Sequence, residues 1–168
     1  MKLVARLWLA LPPREVFPFF TAAENLQAIT PPWLDFSVLA AQPLPMQRGT
    51  IIDYRLRLHG VPFAWQSEIT VWEPPHVFRD EQRRGPYRRW SHTHTFEDAD
   101  GGTLCRDEVD YAVPGGAWVE RWLVRRDLRR IFAHRQQALH AHFAAHAGAR
   151  SSLSADPDWS VRFESTAA

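Results

Sequence analysis

The segment Trp90–Phe96, read WSHTHTF, places two histidines at alternate positions between two aromatic residues. In a β-strand successive side chains point to opposite faces, so Trp90, His92, His94 and Phe96 would share one face. Two imidazoles on one surface can bind a metal ion or transfer protons, and they can also form the polar part of a mostly apolar cavity. The neighbouring strands decide between these functions.

The next strand supplies partners for both histidines. The triplet Asp100-Gly101-Gly102 predicts a tight turn into the segment TLCRDEVDYAVP. Antiparallel pairing across this turn places His94 opposite Asp107, His92 opposite Val109 and Trp90 opposite Tyr111. A slip of one residue would separate these side chains. In this register His92, His94 and Asp107 are the candidate residues for acid–base chemistry.

A metal site would need a third ligand beside the two histidines. Asp107 could supply it in a carboxylate-containing site, but no HExxH motif or other close spacing of histidines and acids supports one. His142 and His146 lie four residues apart near the end of a predicted helix, where a cationic side chain is favourable without any ligand. We therefore expect no bound metal and no cofactor. We interpret the two histidines as a polar cavity wall, with a satisfied structural network as the alternative.

One hairpin earlier, the segment FRDEQ supplies further polar side chains. Either Asp80 and Gln82 or Arg79 and Glu81 face inward. Asp80 and Gln82 share their parity with Phe78, which favours that pair. The alternative is a surface strand of alternating charge.

Composition limits the class of protein. The 168 residues suit one domain, and eight tryptophans with ten phenylalanines suit a dense core or the walls of a ligand cavity. A net charge of +1 gives no general attraction to nucleic acid or to an anionic membrane. Cys105 is the only cysteine, so an intrachain disulfide is impossible. No signal peptide and no apolar run of about 20 residues is present, so we expect a cytoplasmic protein without a membrane span.

The order of elements predicts an α+β fold. Residues 2–11 alternate as a strand, residues 13–30 suggest two short helices interrupted at Pro18, and six more strands follow. Residues 117–146 contain neither proline nor glycine and have a helical apolar period. The prediction is a seven-stranded antiparallel sheet curled around a long C-terminal helix, in one domain of residues 1–147. Residues 148–168 are predicted to be a flexible tail, in which WSVRF could dock on the body.

Five strings carry a family resemblance. They are NLQAITPPWLDFSV, PMQRGTIIDYRLRLHGVPFAW, ITVWEPPHVFRDEQRRGPYRRWSHTHTF, GGTLCRDEVDYAVPGG and RRIFAHRQQAL, which together span residues 25–139. These strings and the element order resemble the START-like (SRPBCC) helix-grip superfamily, which includes lipid-transfer domains, plant pollen-allergen-like proteins and polyketide cyclases. More narrowly they resemble its uncharacterised bacterial ligand-binding branch. The resemblance implies a central cavity between the sheet and the long helix.

The predicted cavity wall combines aromatic and polar residues. On a helical projection Arg125 and Arg129 fall within the apolar stripe that contains Trp122, although an arginine there can also extend past the sheet edge to solvent. The predicted aromatic residues could equally be plain core. We expect the ligand to contact Tyr54, Trp65, Asp80, Gln82, Trp90, His92, His94, Asp107, Tyr111, Trp122, Arg125 and Arg129.

These features favour binding of a hydrophobic or aromatic small molecule, for transport or sequestration. The alternative is a cyclase, dehydratase or hydrolase that uses His92 or His94 with Asp107 as general acid and base. A third possibility is an interaction module that uses the long helix. We expect a monomer or a weak homodimer, with the small molecule as its partner and no role for nucleic acid.

Overall fold

The computed structural model describes residues 1–22, 24–39, 44–146 and 160–164. The strands are β1 (Lys2–Leu9), β2 (Ser37–Val38), β3 (Ile51–Leu58), β4 (Val61–Glu73), β5 (Val77–Arg84), β6 (Arg89–Ala99), β7 (Gly102–Ala112) and β8 (Ser160–Glu164). The helices are α1 (Pro13–Thr21), α2 (Asn25–Ile29), α3 (Gly116–Val119) and α4 (Arg125–His146), with a π turn (Glu120–Val124) that joins α3 to α4. The α+β helix-grip architecture predicted from the sequence is confirmed.

The strands form one antiparallel sheet in the order β2-β3-β4-β5-β6-β7-β1-β8. Tight hairpins join the strands from β3 to β7, whereas β1 lies at the far side, between β7 and β8. Along β6 and β7 buried and less buried residues alternate, because one face of each strand packs on the interior. The inward side chains of all these strands therefore converge on the space that the helices cover.

The predicted number of strands is wrong by one. Ser160–Glu164, within the segment predicted to be a flexible tail, forms β8 and pairs with Lys2–Arg6 of β1. Phe163 packs beneath the guanidinium groups of Arg125 and Arg129, at 5.2 and 5.4 Å from its ring centre. The sequence of this segment is polar and has no periodicity, so the strand was not predicted. The strand forms because the edge of β1 is open to pairing and because Phe163 packs on the body of the protein. Residues 148–159 and 165–168 of the predicted tail lie outside the described residues.

The long C-terminal helix is continuous from Gly116 to His146, as predicted, but it contains the π turn. A π turn holds one residue more than an α turn, so it rotates the preceding residues by roughly 100° relative to a regular helix. Glu120 is consequently buried, and Trp118 and Trp122 are 74% and 62% exposed. Trp122, which was expected to contact the ligand, therefore lies at the surface and not in the cavity wall.

Two short helices precede the main sheet, as predicted. Pro18 lies inside α1 without ending it, and the break between α1 and α2 comes after Thr21. Phe17 and Phe20 of α1 pack edge-on against Phe96 of β6, at ring distances of 5.3 and 4.9 Å. This aromatic contact closes one end of the space between the sheet and α4. Among the described residues no helix is both long enough and apolar enough to cross a bilayer.

Candidate functional site

A cavity lies between the curled sheet and α4. Its volume is about 200 Å³, and one side of it is open. Its apolar lining includes Phe20, Leu26, Leu34, Phe36, Met46, Ile52, Leu56, Leu58, Ile69, Phe78, Leu128, Ile131 and Phe132. Four polar or charged side chains of the wall, Asp80, His92, His94 and Arg135, belong to one cluster.

The register predicted for the histidines is confirmed. His94 lies opposite Asp107, His92 opposite Val109 and Trp90 opposite Tyr111. On the other side of β6, Asp80 of β5 lies opposite His92 and Phe78 lies opposite His94. The inward set on β5 is thus the one that contains Phe78 and Asp80, as the parity argument favoured. Three neighbouring strands therefore bring two carboxylates and two imidazoles together.

Each imidazole lies between the two carboxylates. Asp107 Oδ1 lies 3.1 Å from His92 Nε2 and 2.6 Å from His94 Nδ1. Asp80 Oδ2 lies 3.3 Å from His94 Nε2 and 3.8 Å from His92 Nδ1. The short contact of His94 Nδ1 lies off the direction of a ring N–H, so we treat it as an ion pair and not as a hydrogen bond. The two ring centres are only 3.8 Å apart.

Other side chains fix the orientation of this cluster. Ser67 Oγ donates to Asp80 Oδ1 at 3.4 Å, and Trp65 Nε1 donates to Ser67 Oγ at 3.1 Å. Phe78 stacks on His94 with ring centres 4.0 Å apart and planes at 14°. The carboxylate of Asp80 is therefore held from the side opposite to the imidazoles, and its second oxygen, Oδ2, faces them.

Burial and charge shift the pKa values of the cluster in opposite directions. Burial lowers the pKa of His92, and the neighbouring His94 adds to the effect. Burial also opposes the charged form of His94, but Asp107 and Asp80 outweigh it, so the pKa of His94 is raised. Burial alone would raise the pKa of Asp107, but Arg135 and His94 hold it well below its usual range. The two imidazoles are therefore chemically distinct although they share a wall.

Arg135 is a charged cavity residue that was not among the expected ligand contacts. Its Nε lies 3.7 Å from Asp107 Oδ2, and its guanidinium lies 5.7 Å from the ring centre of Phe20. The sequence does contain a signal for its inward position. Leu128, Phe132 and Leu139 lie on one face of the helix, and the spacing of Arg135 places it on the same face. Arg135 thus faces inward where an apolar residue would be expected.

The structure divides the predicted ligand contacts into two groups. Those that line the cavity are Tyr54, Trp65, Asp80, Trp90, His92 and His94. Those that lie outside it are Gln82, Asp107, Tyr111, Trp122, Arg125 and Arg129. Asp107 lies behind the imidazoles, and Gln82 bonds the backbone of Tyr87 through both ends of its amide. These two residues can act on a ligand only through a neighbour.

The residues predicted on the long helix have other partners. The Tyr111 hydroxyl donates to Glu120 Oε1 at 2.7 Å, and Arg125 binds both oxygens of Glu120 at 3.2 and 3.1 Å. Arg129 is exposed and lies over Phe163. The wheel projection placed Arg125 and Arg129 inward because it could include neither the π turn nor β8.

Three side chains of the cluster could hold a metal ion. Asp80, His92 and His94 each offer one ligand atom within 4.8 Å of the other two. The predicted third ligand, Asp107, contacts the opposite nitrogen of each ring. Asp80 therefore takes the ligand position that the sequence suggested for Asp107.

Comparison with known proteins agrees with this architecture. A crystal structure of an aromatase/cyclase from a Streptomyces species superposes with a TM-score of 0.69 at 14% identity, covering 91% of this chain and 99% of that one. The crystal structure of Ara h 8.0201 gives 0.66 at 13%, covering 86% and 98%. A Mycobacterium smegmatis protein gives 0.66 at 19%, covering 86% and 92%. At these identities the likeness establishes the fold alone.

The comparison of sequences adds the family. No curated protein matches the chain. The family model described as polyketide cyclase/dehydrase and lipid transport matches residues 9–140, which is most of the sequence. A helix-grip fold, a cavity between the sheet and α4, and this match agree. The chain therefore belongs to the polyketide cyclase/dehydrase and lipid transport family.

Proposed function

We propose that the protein binds an apolar, ring-bearing small molecule in the cavity, with the polar end of that molecule directed at the cluster of Asp80, His92, His94 and Arg135. The proposal rests on the way that apolar and charged side chains are separated on the cavity wall. Apolar side chains form most of it, and the charged groups meet at one place. Ligand pockets usually combine a large apolar surface with a few placed polar groups in this way.

The aromatic part of the wall supports a flat ligand. Trp65, Tyr87 and Trp90 form a cluster with ring centres 4.7–5.5 Å apart. Trp65 and Trp90 meet edge to face at 89°, so the cluster presents both a ring face and a ring edge. A planar ring can add to such a cluster by stacked or edge-on contact, worth about 0.5–1.5 kcal/mol per pair beyond the area buried.

The charged part of the wall supports an oxygen-bearing end. Arg135 is an arginine in the cavity wall, and its Nε has no aligned hydrogen-bond acceptor among the described residues. A guanidinium binds a carbonyl or carboxylate oxygen through several parallel N–H groups. The proposed ligand is therefore an apolar ring compound with a carbonyl or carboxylate group, and a saturated hydrocarbon is a poor candidate.

A cavity-filling variant tests this proposal. Leu56 lines the cavity, whereas its neighbour Arg55 on β3 is exposed on the opposite face. Leu56→Trp should weaken binding of an anilinonaphthalene sulfonate probe about tenfold or more, because the added ring occupies ligand space. Arg55→Trp should leave the affinity unchanged, with both affinities read by fluorescence titration. Equal affinities in the two variants would contradict binding in the cavity.

Catalysis is the second candidate. One observation favours it: His92 and His94 both line the cavity, and each has a carboxylate behind it that can orient the ring. Asp107 would then be a positioning residue and not a group that contacts substrate. Mass spectrometry of a co-purified compound, before and after incubation with fresh protein, separates the candidates. A stable mass favours binding alone, and a new product lost in His92→Gln favours catalysis.

A further inference from the structure

We propose that Asp80, His92 and His94 bind a divalent transition-metal ion on the cavity wall, and that Asp107 is the outer carboxylate that orients both imidazoles. This site goes beyond the proposed function, because an ion can bind whether or not an apolar molecule does. It also replaces the sequence-based expectation of no metal, which rested on the lack of a third ligand close to the histidines in sequence. The fold supplies that ligand from β5.

The positions of the three ligand atoms fit an ion. Asp80 Oδ2 lies 3.3 Å from His94 Nε2 and 3.8 Å from His92 Nδ1. Zinc bonds of about 2.0–2.2 Å in tetrahedral arrangement separate neighbouring ligand atoms by roughly 3.3–3.6 Å. The two separations from Asp80 are therefore within a few tenths of an ångström of this spacing, and the two imidazole ligand atoms lie within 4.8 Å of each other.

The donor count at this point leaves room for a cation. Four ring nitrogens of His92 and His94 face carboxylate oxygens, but two neutral imidazoles supply only two N–H donors between them. If the two hydrogens are on the nitrogens nearer Asp107, two nitrogen lone pairs face the oxygen of Asp80; if His94 carries its hydrogen on Nε2, that nitrogen donates to Asp80 instead. A metal ion at this position would be bound by the lone pairs of His92 Nδ1, His94 Nε2 and Asp80 Oδ2, which otherwise repel one another. A proton on one ring is the alternative occupant, and the experiment below separates the two.

Each proposed ligand also has a partner on its far side. Asp107 contacts the second nitrogen of both rings, and Ser67 donates to the second oxygen of Asp80 at 3.4 Å. Metal-binding histidines usually donate their other ring N–H to a carboxylate, and ligating carboxylates are themselves hydrogen-bonded. Arg135 lies 3.7 Å from the outer oxygen of Asp107 and offsets its charge.

The remaining coordination positions would face the cavity. Asp80, His92 and His94 line it, whereas Asp107 does not. Two imidazoles and one carboxylate suit zinc, iron, nickel or cobalt, and three protein ligands leave room for an oxygen of water or of a bound molecule. The ion would lie at the polar end of the cavity beside Arg135.

Titration of the whole protein with zinc and cobalt tests the site. Protein stripped with a chelator and dialysed should bind one equivalent of Zn²⁺ by calorimetry. Co²⁺ should give the visible absorption of a site of low coordination number. Nitrogen-15 spectra of the imidazoles provide a readout that needs no variant. Zn²⁺ should shift Nδ1 of His92 and Nε2 of His94, and it should leave the nitrogens that face Asp107 protonated.

Variants assign the ion to its ligands. Asp80→Asn, which is nearly isosteric, and His92→Gln should each weaken Zn²⁺ binding at least a hundredfold. Asp107→Asn should weaken it about 10–100-fold, as expected for an outer partner. His142→Gln removes one histidine of the closely spaced group His140, His142 and His146 on the long helix, and it should change nothing. Failure to bind one equivalent, or binding unaffected by Asp80→Asn and His92→Gln, would overturn the proposal. Loss of binding in His142→Gln would also overturn it.

Discussion

Asp80 and His94 meet on the cavity wall although they are 14 residues apart, with Oδ2 of the aspartate 3.3 Å from Nε2 of the histidine. The contact is diagonal, because Asp80 lies directly opposite His92 and His94 lies opposite Phe78. Asp80 thereby reaches both imidazoles from one position. The polar end of the cavity is thus built by three strands, and the alternating histidines are only its middle part.

The first prediction concerns the charge balance of this cluster. Asp107→Asn should lower the free energy of unfolding by about 3 kcal/mol or more, because Arg135 and the imidazoles would remain buried without this counter-charge. Asp110→Asn on the same strand is the control. Asp110 has the parity of the opposite face, and its change should stay within about 0.5 kcal/mol. Urea denaturation measures both, and equal effects would contradict the importance of the cluster.

The second prediction concerns the π turn. Tyr111→Phe should lower the free energy of unfolding by about 1.5–3 kcal/mol, because Glu120 loses a buried hydroxyl donor 2.7 Å away. In a double-mutant cycle with Glu120→Gln, the two changes should be non-additive by at least about 0.5 kcal/mol. Strict additivity would mean that the hydroxyl and the carboxylate do not act together.

The third prediction concerns β8. Phe163→Ala should lower the free energy of unfolding by about 1–2 kcal/mol, because its ring packs beneath Arg125 and Arg129. Arg162→Ala is the matched control, since Arg162 is exposed on the same strand. Thermal denaturation compares the two variants. If both variants have the melting temperature of the wild-type protein, β8 does not stabilise the sheet.

The fourth prediction concerns Cys105. Burial raises the pKa of this thiol, and the charge of Asp107 adds to the effect, so the reactive thiolate is disfavoured in the folded protein. A disulfide reagent should not label native protein at neutral pH and should label one thiol per chain in denaturant. Rapid labelling of the native protein would show that β7 opens locally.

Much of the fold followed from sequence, because local signals agreed with the tertiary structure. The turn at Asp100–Gly102 fixed the pairing of β6 with β7, so the position of His94 opposite Asp107 was predicted correctly. The inward face of β5 was left open, because alternate residues on both faces are polar there. Only its pairing with β6 places Asp80 against the histidines.

The errors have physical causes that local patterns do not contain. The π turn moves Trp122 to the surface and Glu120 inward, and a projection at 100° per residue assumes that no such turn exists. β8 forms because β1 leaves an edge open, which depends on the order of strands and not on the composition of the tail. Arg135 was missed because Trp118 and Trp122, on the far side of the π turn, shifted the projected apolar stripe away from it.

The most direct test of the central claim is a measurement of intermolecular nuclear Overhauser effects between a bound aromatic carboxylate probe and the methyl groups of the protein. The account predicts contacts from the probe ring to Ile52, Leu56, Ile69 and Ile131, which line the cavity. Leu123, which is 47% exposed beside Trp122, should give none. Contacts confined to Leu123, with none to the four cavity residues, would contradict ligand binding between the sheet and α4.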